Sequence, residues 1–244
     1  MMGAETPAIE STKRRRLQRR LAALRLWRAE MIYILALAAF AALALLARHA
    51  AYFDWDLAAA RTLQNLPVPG LFGFMRAVSI IGDGWNPYAL AALTVALLLA
   101  LRRRSEAMGL LFSAGGSALV NALIKTLIAR PRPGADLVAV FRPLKSQSFP
   151  SGHVTFYVCY FGFLFFVAFA LLPRGSLLRR LALGAAALPV TLVGLSRVYL
   201  GEHWPSDALG AYLLGGVWLA LSLDLYRRWK ERAAFRRQPG NQQS

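Results

Sequence analysis

Three short stretches concentrate side chains suited to phosphorus chemistry. The first runs from Lys125 to Arg132-Pro133, the second is Pro150-Ser151-Gly152-His153, and the third runs from Ser196-Arg197 through His203 to Asp207. A phosphoryl group in transfer spreads negative charge over its equatorial oxygens, so its catalysis needs fixed positive donors. Lys125, Arg132 and Arg197 can supply them, the two arginines as planar forks and the lysine as a point charge. Ser151 is a good helix N-cap, and Gly152 lets backbone N–H groups approach an anion closely. Asp207 follows His203 by four residues, one helical turn. A carboxylate there can fix the tautomer of the imidazole and leave its other nitrogen free to attack. Each feature also has a purely structural reading: Ser151 as a cap, Asp207 as a complement to a helix dipole.

These stretches need elements that bring them together. The chain has 244 residues, of which 57% are hydrophobic, and a mean hydropathy of +0.43. Apolar runs at about 31–47, 86–101, 107–129, 153–172, 181–196 and 206–223 approach or exceed the length needed to cross a bilayer, which is about 20 residues. They predict an all-α, polytopic membrane protein with six transmembrane helices. Between the first two runs, Phe53–Leu63 and Leu71–Ile81 read as short interfacial helices, and Gly82-Asp83-Gly84 reads as a turn. The basic residues fix an orientation. Twenty of the 29 Lys and Arg lie before the first run, after the sixth, or between runs two and three or four and five. The positive-inside rule then places both termini in the cytoplasm and all three chemical stretches on the opposite face.

The chain divides into a basic N-terminal segment (1–30), a six-helix membrane domain (31–226) and a basic tail (227–244). In the N-terminal segment Leu17, Leu21, Leu24 and Trp27 recur at helical spacing among arginines. This predicts an amphipathic helix on an anionic leaflet, or a plain topogenic signal. The net charge of +17 does not indicate nucleic acid, because the basic residues sit in short clusters between apolar runs. Cys159, the single cysteine, lies inside an apolar run and reads as a packed small hydrophobe. No cysteine and histidine spacing suggests a metal, and no cofactor is expected. His49, at the end of the first run, reads as an interfacial residue.

On these residues the chain resembles the type 2 phosphatidic acid phosphatase superfamily. That superfamily includes bacterial membrane lipid phosphatases, glucose-6-phosphatase and vanadium haloperoxidases. Its motifs K-x6-R-P, P-S-G-H and S-R-x5-H-x3-D are matched in order by Lys125 to Pro133, Pro150 to His153, and Ser196 to Asp207. The resemblance implies a haloperoxidase-like helical bundle and a metal-independent lipid phosphatase. It implies His203 as the nucleophile forming a phosphohistidine, Asp207 as its orienting carboxylate, and His153 as the general acid. Lys125, Arg132, Ser151, Gly152 and Arg197 would bind the phosphate.

The six apolar runs set aside a soluble haloperoxidase. A lipid phosphotransferase using the same phosphohistidine is the main alternative. The partners expected are a lipid phosphate and the surrounding membrane lipids, in a bacterial inner membrane with the site facing the periplasm. Polyprenyl diphosphate, phosphatidylglycerol phosphate, phosphatidic acid and lipid A phosphate all fit. Arg142 and Lys145 could grip a second phosphate, which leans toward a diphosphate. Arg130-Pro131 is a second Arg-Pro pair, but the spacing from Lys125 selects Arg132. Glu202, acidic beside the expected nucleophile, is expected to point away from the pocket.

Overall fold

The computed structural model describes residues 30–235, and the expected amphipathic segment before Glu30 and the second half of the basic tail lie outside them. The described chain is helical. α1 spans Glu30–His49, α2 Asp54–Gln64, and α3 Leu71–Ser79, which runs into a 3-10 turn at Ile80–Gly82. α4 spans Asn86–Ala100 and α5 Arg104–Leu110. A π turn at Leu111–Gly115 joins α5 to α6, Gly116–Ile128. α7 spans Gly152–Leu171, α8 Leu177–Tyr199 and α9 Pro205–Phe235.

Among the described residues, five helical stretches are long and apolar enough to cross a membrane: α1, the continuous α5–α6 rod, α7, α8 and α9. Their outer faces carry what a soluble protein would hide. Leu177, Leu181, Leu188 and Leu195 form an exposed stripe on α8, and Met108, Leu111, Leu119, Leu123 and Leu127 form one along α5–α6. Exposed apolar area on this scale is normal only against lipid. The chain is an integral membrane protein. The expected second crossing is α4, at 15 residues. It is about 22 Å long, short of the roughly 30 Å hydrocarbon core. Pro87 starts it, and the arginine cluster at 102–104 follows its end.

α7 is the central helix and packs against α8 and α9 through Val154, Tyr157, Val158, Val193, Ala208 and Ala211. At its far end it meets α5 and α9 through Leu110, Phe163 and Tyr226. The packing tolerates no extra atom at several small residues. A Cβ on Gly162 would meet Leu219 at 2.5 Å, and one on Gly116 would meet Trp218 at 2.5 Å. Such close approach by small residues replaces the hydrophobic drive that lipid cannot supply.

Two polar devices tie the helices together. Near the N-terminus of α5, Glu106 is buried and binds Lys230 Nζ (3.0 Å) and the Tyr226 hydroxyl (3.1 Å) of α9. In α8, beyond Pro189, the Tyr212 hydroxyl donates to the Val190 carbonyl (2.6 Å) and accepts from the Gly194 amide (3.2 Å). A side chain from α9 thus stands inside the backbone ladder of the helix that carries Ser196 and Arg197. The C-terminal ends of α6 and α8 and the N-terminal ends of α7 and α9 meet at one end of the bundle, where α2 and α3 cover them.

Candidate active site

The Lys125–Pro133 stretch closes α6. Ala129, at positive φ (54°), ends the helix and turns the chain so that the following arginines point back into the bundle. Pro150–His153 opens α7, and Ser196–Asp207 spans the α8–α9 corner. Gly201 (φ 65°) makes that corner tight, because a Cβ there would sit 2.0 Å from the Ala139 carbonyl oxygen. The three stretches surround a cavity of roughly 980 Å³ including its open mouth. Lys125, Arg132, Gly152, His153, Arg197 and His203 all line it.

His203 is almost fully buried, and both its ring nitrogens have partners. Arg132 Nη1 lies 3.1 Å from Nε2 and Asp207 Oδ2 lies 3.4 Å from Nδ1. A guanidinium can only donate and a carboxylate accepts, so the proton belongs on Nδ1 and the lone pair on Nε2. Burial, and then the charges of Arg132, Lys125 and Arg197, push the His203 pKa well below its ordinary value. At neutral pH the ring is therefore neutral, with its lone pair toward the cationic side of the cavity.

Asp207 is wholly buried and heavily bonded. Oδ2 also accepts from the Trp204 amide (2.9 Å) and from the Ser148 hydroxyl, and Oδ1 accepts from Arg130 Nη1 (2.7 Å). Arg130 reaches on to Asp56 Oδ2 (2.9 Å) and to the Ser206 hydroxyl (2.6 Å). Asp56, from α2, also accepts from the Ser206 amide at the start of α9 (2.8 Å). One buried guanidinium thus joins two buried carboxylates, and the pair fixes the helix end that carries Asp207. Sequence reasoning set Arg130 aside and did not single out Asp56. The available signal was the repeated Arg-Pro pair.

The cations are held by backbone and side-chain acceptors. Lys125 Nζ donates to the carbonyls of Gln147 (2.5 Å) and Ser148 (3.2 Å). Arg132 binds the Ser146 carbonyl (2.8 Å), its hydroxyl (2.9 Å) and the Glu202 carbonyl (2.5 Å). Burial, partly offset by Asp207, lowers the Arg132 pKa to about 10, so it remains charged at neutral pH. The Arg197 side chain is fully buried, binds the Ser79 hydroxyl (2.5 Å) and pairs with the Glu202 carboxylate.

His153 has a partner that sequence reasoning read only as part of a turn. Asp83 Oδ1 lies 2.9 Å from its Nε2. The neighbouring Gly82 leaves the ring its space, since a Cβ there would stand 2.2 Å from it. Burial alone would raise the Asp83 pKa. The hydrogen bonds from His153 and Arg142 outweigh it and hold the carboxyl at about 2.

Ser151 and Arg142 sit otherwise than expected, and Glu202 has a partner that was not foreseen. Ser151 occupies the N-cap position of α7 but makes no side-chain cap bond; its buried hydroxyl has no partner among the described residues and does not line the cavity. Glu202 does not line the cavity either, as expected, yet it is buried against Arg197. Arg142 is not free for a second phosphate, because its guanidinium bridges Asp83 (2.6 Å) and Glu202 (3.1 Å). Lys145 is exposed and does not line the cavity.

The PAP2 superfamily model matches residues 106–231, more than half of the chain and all three stretches. Phosphatidylglycerophosphatase B of Bacillus subtilis is 29% identical over 163 residues, covering 66% of this chain and 77% of that protein. The decaprenylphosphoryl-5-phosphoribose phosphatase of Mycobacterium tuberculosis is 34% identical over 156 residues, covering 61% and 77%. The fold is similar to the crystal structure of a transmembrane PAP2 type phosphatidylglycerolphosphate phosphatase from Bacillus subtilis. The TM-score is 0.66 at 25% identity, covering 78% of this chain and 96% of that one. With its motifs gathered at one cavity and its helices arranged as in that enzyme, this chain belongs to the PAP2 superfamily.

Proposed function

We propose that the protein is a metal-independent lipid phosphatase that works through a phosphohistidine on His203, with its site on the non-cytoplasmic face of a bacterial inner membrane. The observation that carries this reading is the His203 ring itself, with its Nε2 lone pair turned to the cavity's cations by Asp207 and Arg132. The similarity to phosphatidylglycerophosphatase B and to decaprenylphosphoryl-5-phosphoribose phosphatase supports a lipid-linked phosphate ester as substrate. The cavity wall agrees, since beside the cations it carries Pro87, Tyr88, Ala118, Ala122 and Phe156, an apolar path toward the membrane.

The chemistry then runs in two steps. Lys125, Arg132 and Arg197, with the Gly152 amide at the start of α7, hold the phosphoryl oxygens. His203 Nε2 attacks phosphorus, the bond to the lipid alcohol breaks, and the departing oxygen takes a proton from the imidazolium of His153. Asp83 stabilises that imidazolium through the other ring nitrogen. Water, losing a proton to His153, then attacks phosphorus; the P–N bond breaks and inorganic phosphate leaves. The cationic set takes the place a metal ion holds in other phosphatases. With both termini cytoplasmic, as the basic clusters favour, the cavity faces the periplasm.

The test is phosphate release by detergent-solubilised protein from a panel of lipid mono- and diphosphates with EDTA present. Release that His203→Ala abolishes is the expected result. EDTA inhibition, or substantial release by the variant, contradicts the reading.

A further inference from the structure

Tyr212, on α9, does not line the site cavity. It lines an apolar groove of roughly 1470 Å³, including its open side, on another flank of α8 and α9, together with Val190, Gly194, Val198 and Ala208. A hydroxyl in such surroundings must find its partners within the protein, because lipid tails offer none. Both partners are backbone groups of α8. The hydroxyl donates to the Val190 carbonyl (2.6 Å) and accepts from the Gly194 amide (3.2 Å). These are the two groups that an undisturbed α-helix pairs with each other.

The local sequence of α8 makes room for this contact. Pro189 has no N–H, so the Ala185 carbonyl loses its helical donor and the ladder is already weakened. Gly194 lets the tyrosine lie against the backbone, since a Cβ there would stand 2.8 Å from both Cε2 and the hydroxyl oxygen of Tyr212. Beyond Gly194, the last turn of α8 is tied to α2 and α3. Ser196 Oγ donates to the Met75 carbonyl (2.6 Å), and Gln64 Nε2 donates to the Tyr199 carbonyl (2.9 Å). The Tyr212 hydroxyl thus stands at the joint between the membrane-spanning body of α8 and the turn that carries Arg197.

The joint has site residues on both sides. Arg197 follows Gly194 by three residues, about 4.5 Å along α8, and Asp207 precedes Tyr212 by five, about 7.5 Å along α9. On the phosphatase reading above, on which this inference rests, Arg197 grips the phosphoryl oxygens and Asp207 orients His203. We propose that Tyr212 is a positioning residue for that reaction: its hydroxyl sets the end of α8 against the start of α9 and so holds Arg197 at the required reach from the phosphorus that His203 attacks. Tyr212 itself touches neither substrate nor reacting atoms. A misplacement of about 1 Å between a donor and the developing charge costs about a hundredfold in rate, so one hydroxyl at the joint is felt at the site.

Two variants break the joint from opposite sides. Tyr212→Phe keeps the ring and removes the hydroxyl, and Gly194→Ala displaces the hydroxyl with its added Cβ. Each is assayed as full-length protein in detergent on dioleoyl phosphatidic acid and on p-nitrophenyl phosphate. Both should elute as wild type in gel filtration and lose kcat by about ten- to a hundredfold, with KM changed by less than about twofold. The loss should be equal on the two substrates, because Arg197 grips the phosphoryl group and not the leaving group. In an Arg197→Lys background, which keeps the charge but not the fork, Tyr212→Phe should cost less than about twofold more. Wild-type kcat in Tyr212→Phe overturns the proposal. So does a loss confined to the lipid, which would assign Tyr212 to the lipid-facing groove, or a full multiplicative loss in the Arg197→Lys background. Failure of both variants to fold would make the contact a prop of the fold and overturn it too. Release from neither substrate by wild-type protein would instead remove the phosphatase reading, and this inference with it.

Discussion

Asp83 Oδ1 lies 2.9 Å from Nε2 of His153, as Asp207 Oδ2 lies 3.4 Å from Nδ1 of His203. Each histidine of the cavity thus has its own carboxylate, one from the α3–α4 turn and one from the start of α9. If His153 delivers the proton to the departing alcohol, Asp83→Asn should act through it. The variant should lose roughly ten- to a hundredfold in kcat on alkyl phosphates, within the range typical of general acid catalysis. The loss should be much smaller on p-nitrophenyl phosphate, whose leaving group needs no proton. Equal losses on both would assign Asp83 to the fold alone.

The same carboxylate predicts an acid-sensitive component of stability. Its pKa is held at about 2, below the ordinary value of 3.8. The charged form is the one the fold favours, so its contribution is complete above about pH 4 and is lost as pH falls toward 2. Thermal midpoints of wild type and Asp83→Asn in detergent, followed from pH 6 downward, should therefore converge in that window. A difference that stays constant with pH would contradict the assignment.

Arg130 and Arg132 should separate cleanly. Arg130 joins Asp56 and Asp207 with no exposure on either side. Arg130→Ala would leave two buried carboxylates without their cation, a cost of about 3–5 kcal/mol. It should lower the thermal midpoint sharply or abolish accumulation of folded protein. Arg132→Ala should remain folded and lose kcat/KM by at least about a hundredfold, as expected for a donor to developing charge. Fluorescence-detected gel filtration after heating, run beside kinetics, distinguishes the two.

Gly82→Ala tests the space under His153. The added Cβ would stand 2.2 Å from the ring, so the imidazole must move. The variant should resemble His153→Ala in its preference for good leaving groups. Wild-type selectivity in Gly82→Ala would show that the ring can shift without consequence.

The legible part of this protein was carried by spacing. Lys125 to Arg132, Pro150 to His153, and Arg197 to Asp207 are close in sequence within each stretch, and the apolar runs announce the helices that bring them together. Asp56 and Asp83 were not legible, and Arg130 only as a repeated Arg-Pro pair, because what marks them is contact with residues some 70 to 150 positions away. A lone carboxylate at a helix start or in a Gly-Asp-Gly turn looks like ordinary surface until the fold encloses it. The short α4 matches its apolar run at 86–101 to within a residue, because Pro87 at one end and the arginines at the other bound both. Ser151 has the residue type of a cap and its position, yet its hydroxyl makes no bond, which residue preference alone does not reveal.

The most direct test of the central claim is to trap the covalent intermediate. Full-length protein would be mixed with lipid substrate labelled in its phosphoryl group, quenched in alkali within milliseconds to seconds, and mapped by mass spectrometry. The account predicts base-stable, acid-labile phosphate on His203, absent from His203→Ala. Rapid turnover with no label on His203 at any quench time, or label retained in His203→Ala, would contradict it.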